Sequence, residues 1–160
     1  MKLEQLPIVE IRRLHEVQVD ALAQMLVVLE NAGELRHFHP HPFSRNHLEM
    51  LADSSRQDLH YVMTDGNAVF SYGLLRGWDE GYATPSLGIA THPAHRGKGH
   101  GALMMNFLHA AARARGAARV RLRVHGDNER AISLYRAAGY RFEAASDVEG
   151  LIVAYKALLP

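Results

Sequence analysis

The apolar positions of this chain change period along its length, and the changes divide it into elements. From Glu16 to Asn31 the residues Val19, Leu22, Met25, Leu26 and Leu29 recur three and four apart, which places them on one face of a helix that Gly33 closes. Ile8 to Arg12 ahead of it reads as a short strand. The stretch ELRHFHPHPFSRNHLEMLADSS is broken by Pro40 and Pro42, so its first half is loop, and Ser44 is placed to cap a second short helix ending near Ser54. Leu59 to Thr64 and Ala68 to Leu75 flank Asp65-Gly66-Asn67, a turn signal that predicts an antiparallel hairpin. Ser86 to Thr91 reads as the next strand. From Ala102 to Arg115 the helical period returns, with Leu103, Met104, Phe107, Leu108 and Ala111 on one face and Gly116 as its stop. RVRLRV then alternates strictly, with Val120, Leu122 and Val124 set against Arg119, Arg121 and Arg123, the pattern of a strand with one buried face. Asp127 is placed to cap a helix over Asn128 to Ala138 that Gly139 ends, and two strands follow near Arg141 to Glu143 and Leu151 to Ala157.

This order predicts one α/β (α+β) domain over residues 1–160, since no linker, repeat or low-complexity tract interrupts it. A hydrophobic content of 48% with 22% charged residues belongs to a folding chain rather than a disordered one. The formal net charge of +1 lacks the basic bias of a nucleic-acid-binding domain, so no nucleic acid is expected as partner. The absence of cysteine excludes disulfides, thiolate catalysis and cysteine-ligated zinc. No apolar run approaches the roughly 18 residues that span a bilayer, so no membrane is expected and the location expected is cytoplasmic.

The candidate chemistry centres on RGKGHG, Arg96 to Gly101. As a nucleoside triphosphate loop it lacks the hydroxyl that should follow Lys98, because Gly99 stands there. Gly97, Gly99 and Ala102 match the dinucleotide fingerprint formally, but the ribose-binding acid expected about 20 residues on is replaced by an arginine-rich stretch. A third reading takes the loop as Arg96-x-x-Gly99-x-Gly101 at a helix N-terminus, where backbone N–H groups and the helix dipole face a pyrophosphate and glycine permits close approach, and a plain tight turn through Gly97, Gly99 and Gly101 stays open beside it.

That pattern resembles the acyl-CoA pyrophosphate loop of the GNAT acetyltransferase superfamily. Ser86-Leu-Gly-Ile-Ala-Thr-His-Pro93 resembles that family's central strand and its exit, and Asn128-x-x-Ala131-x-x-Leu134-Tyr135-x-x-x-Gly139-Tyr140 its later helix and turn. The resemblance covers Ser86 to Glu143. It implies a mixed, mostly antiparallel sheet flanked by helices and splayed between the central strand and the next. It further implies acetyl-CoA as cosubstrate, no metal, and direct acyl transfer to a small-molecule amine.

By the same resemblance, backbone groups of Ile89, Ala90 and Thr91 pair with the pantetheine arm and polarise the thioester. Arg96, Gly97, Lys98, Gly99, His100 and Gly101 hold the pyrophosphate, and Asn128 touches the arm. Tyr135 protonates the departing thiolate, and Glu80 is the candidate base, with Asp79 beside it. His39 and His41, together with His37 in the same loop, border the acceptor along with Ser86 and Trp78. Trp78 is either an aromatic platform for the acceptor or a strand-end residue covering the core. His37-x-His39-x-His41 has the imidazoles of a metal site, but prolines stiffen it and no carboxylate follows at ligand spacing. Two other functions remain open on the sequence, an acyl-CoA-binding sensor without catalysis and a nucleotide-dependent oxidoreductase. A homodimer through the terminal strands is compatible with the chain.

Overall fold

The structure is a computed structural model that describes residues 8–143 and 150–158, so the outermost parts of the expected 1–160 domain lie outside the described residues. Its centre is a seven-stranded sheet of β1 (Glu10–Arg13), β2 (Leu59–Thr64), β3 (Val69–Arg76), β4 (Ser86–Thr91), β5 (Arg119–His125), β6 (Arg141–Phe142) and β7 (Leu151–Ala157), in the order β1-β2-β3-β4-β5-β7-β6. Neighbours are antiparallel except β4 and β5, which are parallel. This topology is mixed and mostly antiparallel, and it removes the dinucleotide reading, which needs a doubly wound parallel sheet. Four α-helices cover the sheet: α1 (Val19–Asn31), α2 (Arg45–Leu51), α3 (His100–Ala114) and α4 (Glu129–Ala137). None of the described helices is long and apolar enough to cross a membrane.

Two apolar cores lie on the two faces of the sheet. On one, Val19, Leu22, Met25, Leu26 and Leu29 of α1 and Leu48 of α2 pack on Val62, Tyr72 and Leu74. On the other, Met104, Met105 and Leu108 of α3 and Tyr135 of α4 pack on Met63, Leu75, Leu87, Val120 and Leu122. β3 is consequently buried on both faces, which suits its Val, Phe, Tyr and Leu content. Gly73 is required where α3 crosses it, because a Cβ there would stand 2.7 Å from Met104 Sδ and 3.0 Å from Leu108 Cδ1.

The element bounds differ from the sequence expectations in physically clear ways. Glu16–Gln18 is a 3-10 turn capped by His15, whose Nδ1 accepts from Val17 N, and the α-helix begins only at Val19. Ser44 caps α2 as expected by accepting from His47 N, but the helix stops at Leu51. Leu103 is 52% exposed, and Met105 takes the buried position assigned to it. Asp127 does not cap α4. The Oδ1 of Asn128 accepts from Ala131 N at 3.3 Å, which makes Asn128 the cap and leaves Asp127 to other partners.

Candidate functional site

β4 and β5 share a single register pair, Ser86 with Arg121, backed by the bond from Arg121 N to Pro85 O at 3.0 Å. Beyond it the strands diverge. β5 turns its other edge to β7 along its whole length, so the divergence leaves β4 from Leu87 onward with one edge unpaired by β5. The wedge opens into a cavity of about 330 Å³ whose wall includes Ile89, Ala90, Thr91, Gly99, Asn128 and Tyr135. The unpaired strand edge presents backbone donors and acceptors to whatever occupies the wedge.

At one end of this cavity the glycine loop turns through Gly97 at φ 73° and Gly99 at φ 82°, backbone that other residues adopt only with strain. No heavy atom lies within 4 Å of where a Cβ would sit on either residue, so their outer faces are open. Gly99 caps α3 without a side chain, and the first bond of the helix runs from Leu103 N to Gly99 O at 3.0 Å. The N–H groups of His100, Gly101 and Ala102 therefore remain for an external acceptor. His100 Nδ1 is also buried without a partner among the described residues. Open glycines, first-turn donors and an orphaned imidazole nitrogen fit a pyrophosphate, and all line the same cavity.

Arg96 is used differently from the sequence expectation. Its Nε donates to Thr91 O at 3.1 Å, and its two terminal nitrogens form a fork on Glu34, with Nη1 to Oε1 at 2.7 Å. The hydrogen bond from Arg96 holds the Glu34 carboxyl below the usual carboxylate range against the opposing effect of burial. Arg96 thus pins the loop to the chain just beyond α1; Lys98 is exposed and does not line the cavity, whose wall carries the cations Arg123 and Arg130. Behind them Phe70 stacks on His95 with ring centroids 4.1 Å apart.

Tyr135 stands in the wall of the wedge, and burial pushes its phenol up to about 12. Tyr140, its neighbour in the core, instead engages His109 Nε2 through its hydroxyl at 2.8 Å. On the acceptor side a smaller cavity of about 180 Å³ is bordered by His37, His39, Arg76, Ser86 and Arg123, and His37 borders the cofactor cavity as well. Asp127 fixes His37, with Oδ1 3.0 Å from Nε2, and the ring of His125 lies 5.6 Å away. Desolvation opposes ionisation of Asp127, yet the hydrogen bond and charge of His37, with Arg36, hold its carboxyl below the usual range.

Several expected site residues lie elsewhere. Glu80 borders a third cavity, of about 580 Å³, among Arg76, Arg119, Arg121 and Arg123, and does not line the wedge. Asp79 is structural, accepting from Gln57 N at 2.9 Å and pairing with Arg56. Trp78 packs against the core of the α3 face with Arg115 over its ring at 5.1 Å, so of its two readings the core-covering one holds. His41 is buried between Pro42 O and the Tyr72 hydroxyl, each at 2.7 Å, and faces the core instead of an acceptor. Whereas His39 borders only the smaller cavity, His37 borders both it and the wedge. The signal that could have singled it out is Asp127, an acidic residue ahead of a helix that Asn128 caps.

The model of the acetyltransferase (GNAT) family matches residues 25–140. Among curated proteins no sequence matches the chain. Among solved structures, the PaiA N-acetyltransferase of Thermoplasma acidophilum in complex with coenzyme A superposes with a TM-score of 0.78 at 15% identity, covering 94% of this chain and 99% of the other. An acetyltransferase of Salmonella typhimurium with acetyl-CoA gives 0.73 at 20% identity over 96% and 95% of the two chains. The spermidine/spermine N-acetyltransferase of Vibrio cholerae gives 0.70 at 16% identity over 94% and 95%. These likenesses establish the fold, and the family match, over more than half of the chain, establishes that the chain belongs to the GNAT acetyltransferase family.

Proposed function

We propose that the chain transfers an acetyl group from acetyl-CoA to a primary amine of a small molecule, by direct attack within a ternary complex. The observation that carries this reading is the wedge between β4 and β5, which runs from the glycine loop past Tyr135 to His37 and Arg123. Backbone N–H groups of the Ile89–Thr91 stretch serve as donors to the thioester oxygen as negative charge develops on it. The lone pair of the attacking amine forms the new C–N bond, and the C–S bond breaks. His37 takes the amine proton through Nδ1, because Nε2–H donates to Asp127. Glu80 has no such position.

The value for Tyr135 constrains its part. A phenol at about 12 lies some 3 to 4 units above an ordinary thiol, so full transfer to a water-like thiolate is uphill by about 5 kcal/mol. Tyr135 therefore acts as a hydrogen-bond donor to sulfur, and its proton follows only as far as the same burial raises the affinity of the thiolate for it.

Calorimetric titration with acetyl-CoA and NAD, followed by thiol release over amino sugars, amino acids and polyamines, tests the reading. Acetyl-CoA should bind and NAD should not. Tyr135→Phe should lower kcat roughly 100-fold while leaving acetyl-CoA affinity in place. Binding without thiol release on any acceptor would favour a sensor over an enzyme, whereas a Tyr135→Phe variant of full activity would remove Tyr135 from the mechanism.

A further inference from the structure

The open face of the sheet beside the wedge carries a concentration of guanidinium groups that acyl transfer itself does not require. Arg76 on β3 stands opposite Ser86 on β4, and Ser86 stands opposite Arg121 on β5, so the three form one row across the sheet. Adjacent strands lie about 4.8 Å apart, which separates the backbones of Arg76 and Arg121 by about 10 Å with a small serine between them. Arg119 and Arg123 flank Arg121 at two-residue spacing and share its face. All four arginines border the cavity of about 580 Å³, and Arg123 also borders the wedge and the cavity beside His37. An arginine column thus leads from the open groove to the edge of the cofactor cavity.

These charges have positioning contacts but no counter-charge within the described chain. Arg76 donates from Nη1 to Pro40 O. Arg119 donates from Nε to Thr84 Oγ1 at 3.4 Å and lies over the Tyr155 ring at 4.5 Å. Among the described residues none of the four takes part in an ion pair, and Glu80 is the one carboxylate on the lining. Like charges on neighbouring positions of one sheet face are destabilising. The whole chain carries only +1, so the excess is local to this groove. Arginine forks match the paired oxygens of carboxylate and phosphate.

We propose that the acceptor is an anionic amine, bearing a carboxylate or a phosphate that the Arg76, Arg121 and Arg123 side chains hold while its amine reaches toward His37 and the wedge. The proposal rests on the acetyltransferase reading above. It excludes polyamines, whose ammonium groups would meet the same column with repulsion.

Binding and turnover separate the two readings. Protein saturated with coenzyme A is titrated calorimetrically with glucosamine 6-phosphate against glucosamine, alanine against alaninamide, and spermidine, so that the first pair reports phosphate and the second carboxylate. At least one anion-bearing probe should bind roughly tenfold or more tightly than its partner, and its affinity should fall roughly 10- to 100-fold in Arg121→Gln. Arg121→Lys, which keeps the charge, should restore part of the loss, and coenzyme A affinity should be unchanged in both variants. Preference for the member that lacks the anion or for spermidine, equal loss for both members of a pair, or no binding of any probe overturns the proposal. Thiol release from acetyl-CoA with the same probes judges the underlying reading. Arg121-dependent anion binding without thiol release keeps the anion site and removes the acetyltransferase reading, whereas thiol release confined to amines without a carboxylate or phosphate does the reverse.

Discussion

Acid should destabilise this protein through a three-residue chain that anchors the acceptor-side loop. His41 Nδ1 lies 2.7 Å from Pro42 O, so it carries the proton and Nε2 is an acceptor. Tyr72 then donates its hydroxyl to His41 Nε2 at 2.7 Å and accepts from His60 Nδ1–H at 2.8 Å. This arrangement needs His41 neutral, since a proton on its Nε2 would force the Tyr72 hydroxyl to turn toward His60 Nδ1, whereas His60 is kept neutral by its burial. Desolvation, assisted by the neighbouring charges of Arg76 and the other histidines, holds His41 down to about 4 and His60 down to about 3. Folded values below the unfolded 6.5 mean that the unfolded state binds more protons, so this stability is present above about pH 6.5 and is lost as pH falls toward 4. At pH 5 each histidine removes about 2 kcal/mol, together about 4 kcal/mol, a large part of a typical domain's 5 to 15 kcal/mol. Urea unfolding at pH 8 and pH 5 measures the loss, and His41→Gln, which cannot titrate, should show about 2 kcal/mol less of it. A wild-type stability at pH 5 within about 1 kcal/mol of that at pH 8, or an undiminished loss in His41→Gln, would refute the assigned chain.

Two further substitutions probe the scaffold of the cofactor site. Gly73→Val should destabilise the fold by about 2 to 4 kcal/mol, because its Cβ alone would overlap Met104 Sδ at 2.7 Å and α3 cannot retreat without moving the glycine loop at its N-terminus; a denaturation midpoint equal to wild type would contradict the packing. Glu34→Gln should weaken acetyl-CoA binding several-fold in calorimetry by releasing Arg96 from the fork that fixes the loop, and an unchanged dissociation constant would show that the loop holds its shape without that pair. The Glu34 carboxyl is held low by Arg96, so its share of stability is present above the ordinary carboxylate range and lost only as pH falls below it.

What the sequence made legible is what depends on short-range physics. The period of Val19 to Leu29 and the alternation of RVRLRV are each dictated within a few residues, and each stands in the structure as read; the left-handed backbone at Gly97 and Gly99 is a finding of the structure. The wedge became legible only through the family resemblance, because the separation of β4 from β5 is set by pairing between distant segments. Partner choice was hidden for the same reason. Glu34 reaches Arg96 across 62 positions and His37 reaches Asp127 across 90, so neither pattern marks itself locally. His41 was placed at the acceptor, and Trp78 was left with two readings, because chemistry alone does not reveal which face of the backbone a side chain takes; their faces lead to Tyr72 and Arg115.

The loop between α1 and α2 links these observations, because its side chains and backbone are fastened to different parts of the site. Glu34 holds Arg96 of the glycine loop, Arg36 and His37 hold Asp127 ahead of α4, Pro40 O accepts from Arg76, and His41 closes on Tyr72 in the core. A loop of this length would otherwise be mobile, with two prolines limiting but not fixing it. Four attachments, one to the glycine loop, one ahead of α4 and two to β3, hold it against both the cofactor cavity and the arginine-lined groove. On the proposed function, donor and acceptor positions are therefore set by one segment. Loosening its anchors should disturb acetyl-CoA binding at the Glu34 end and acceptor binding at the Arg76 end, while the buried His41 contact keeps the segment seated on the core.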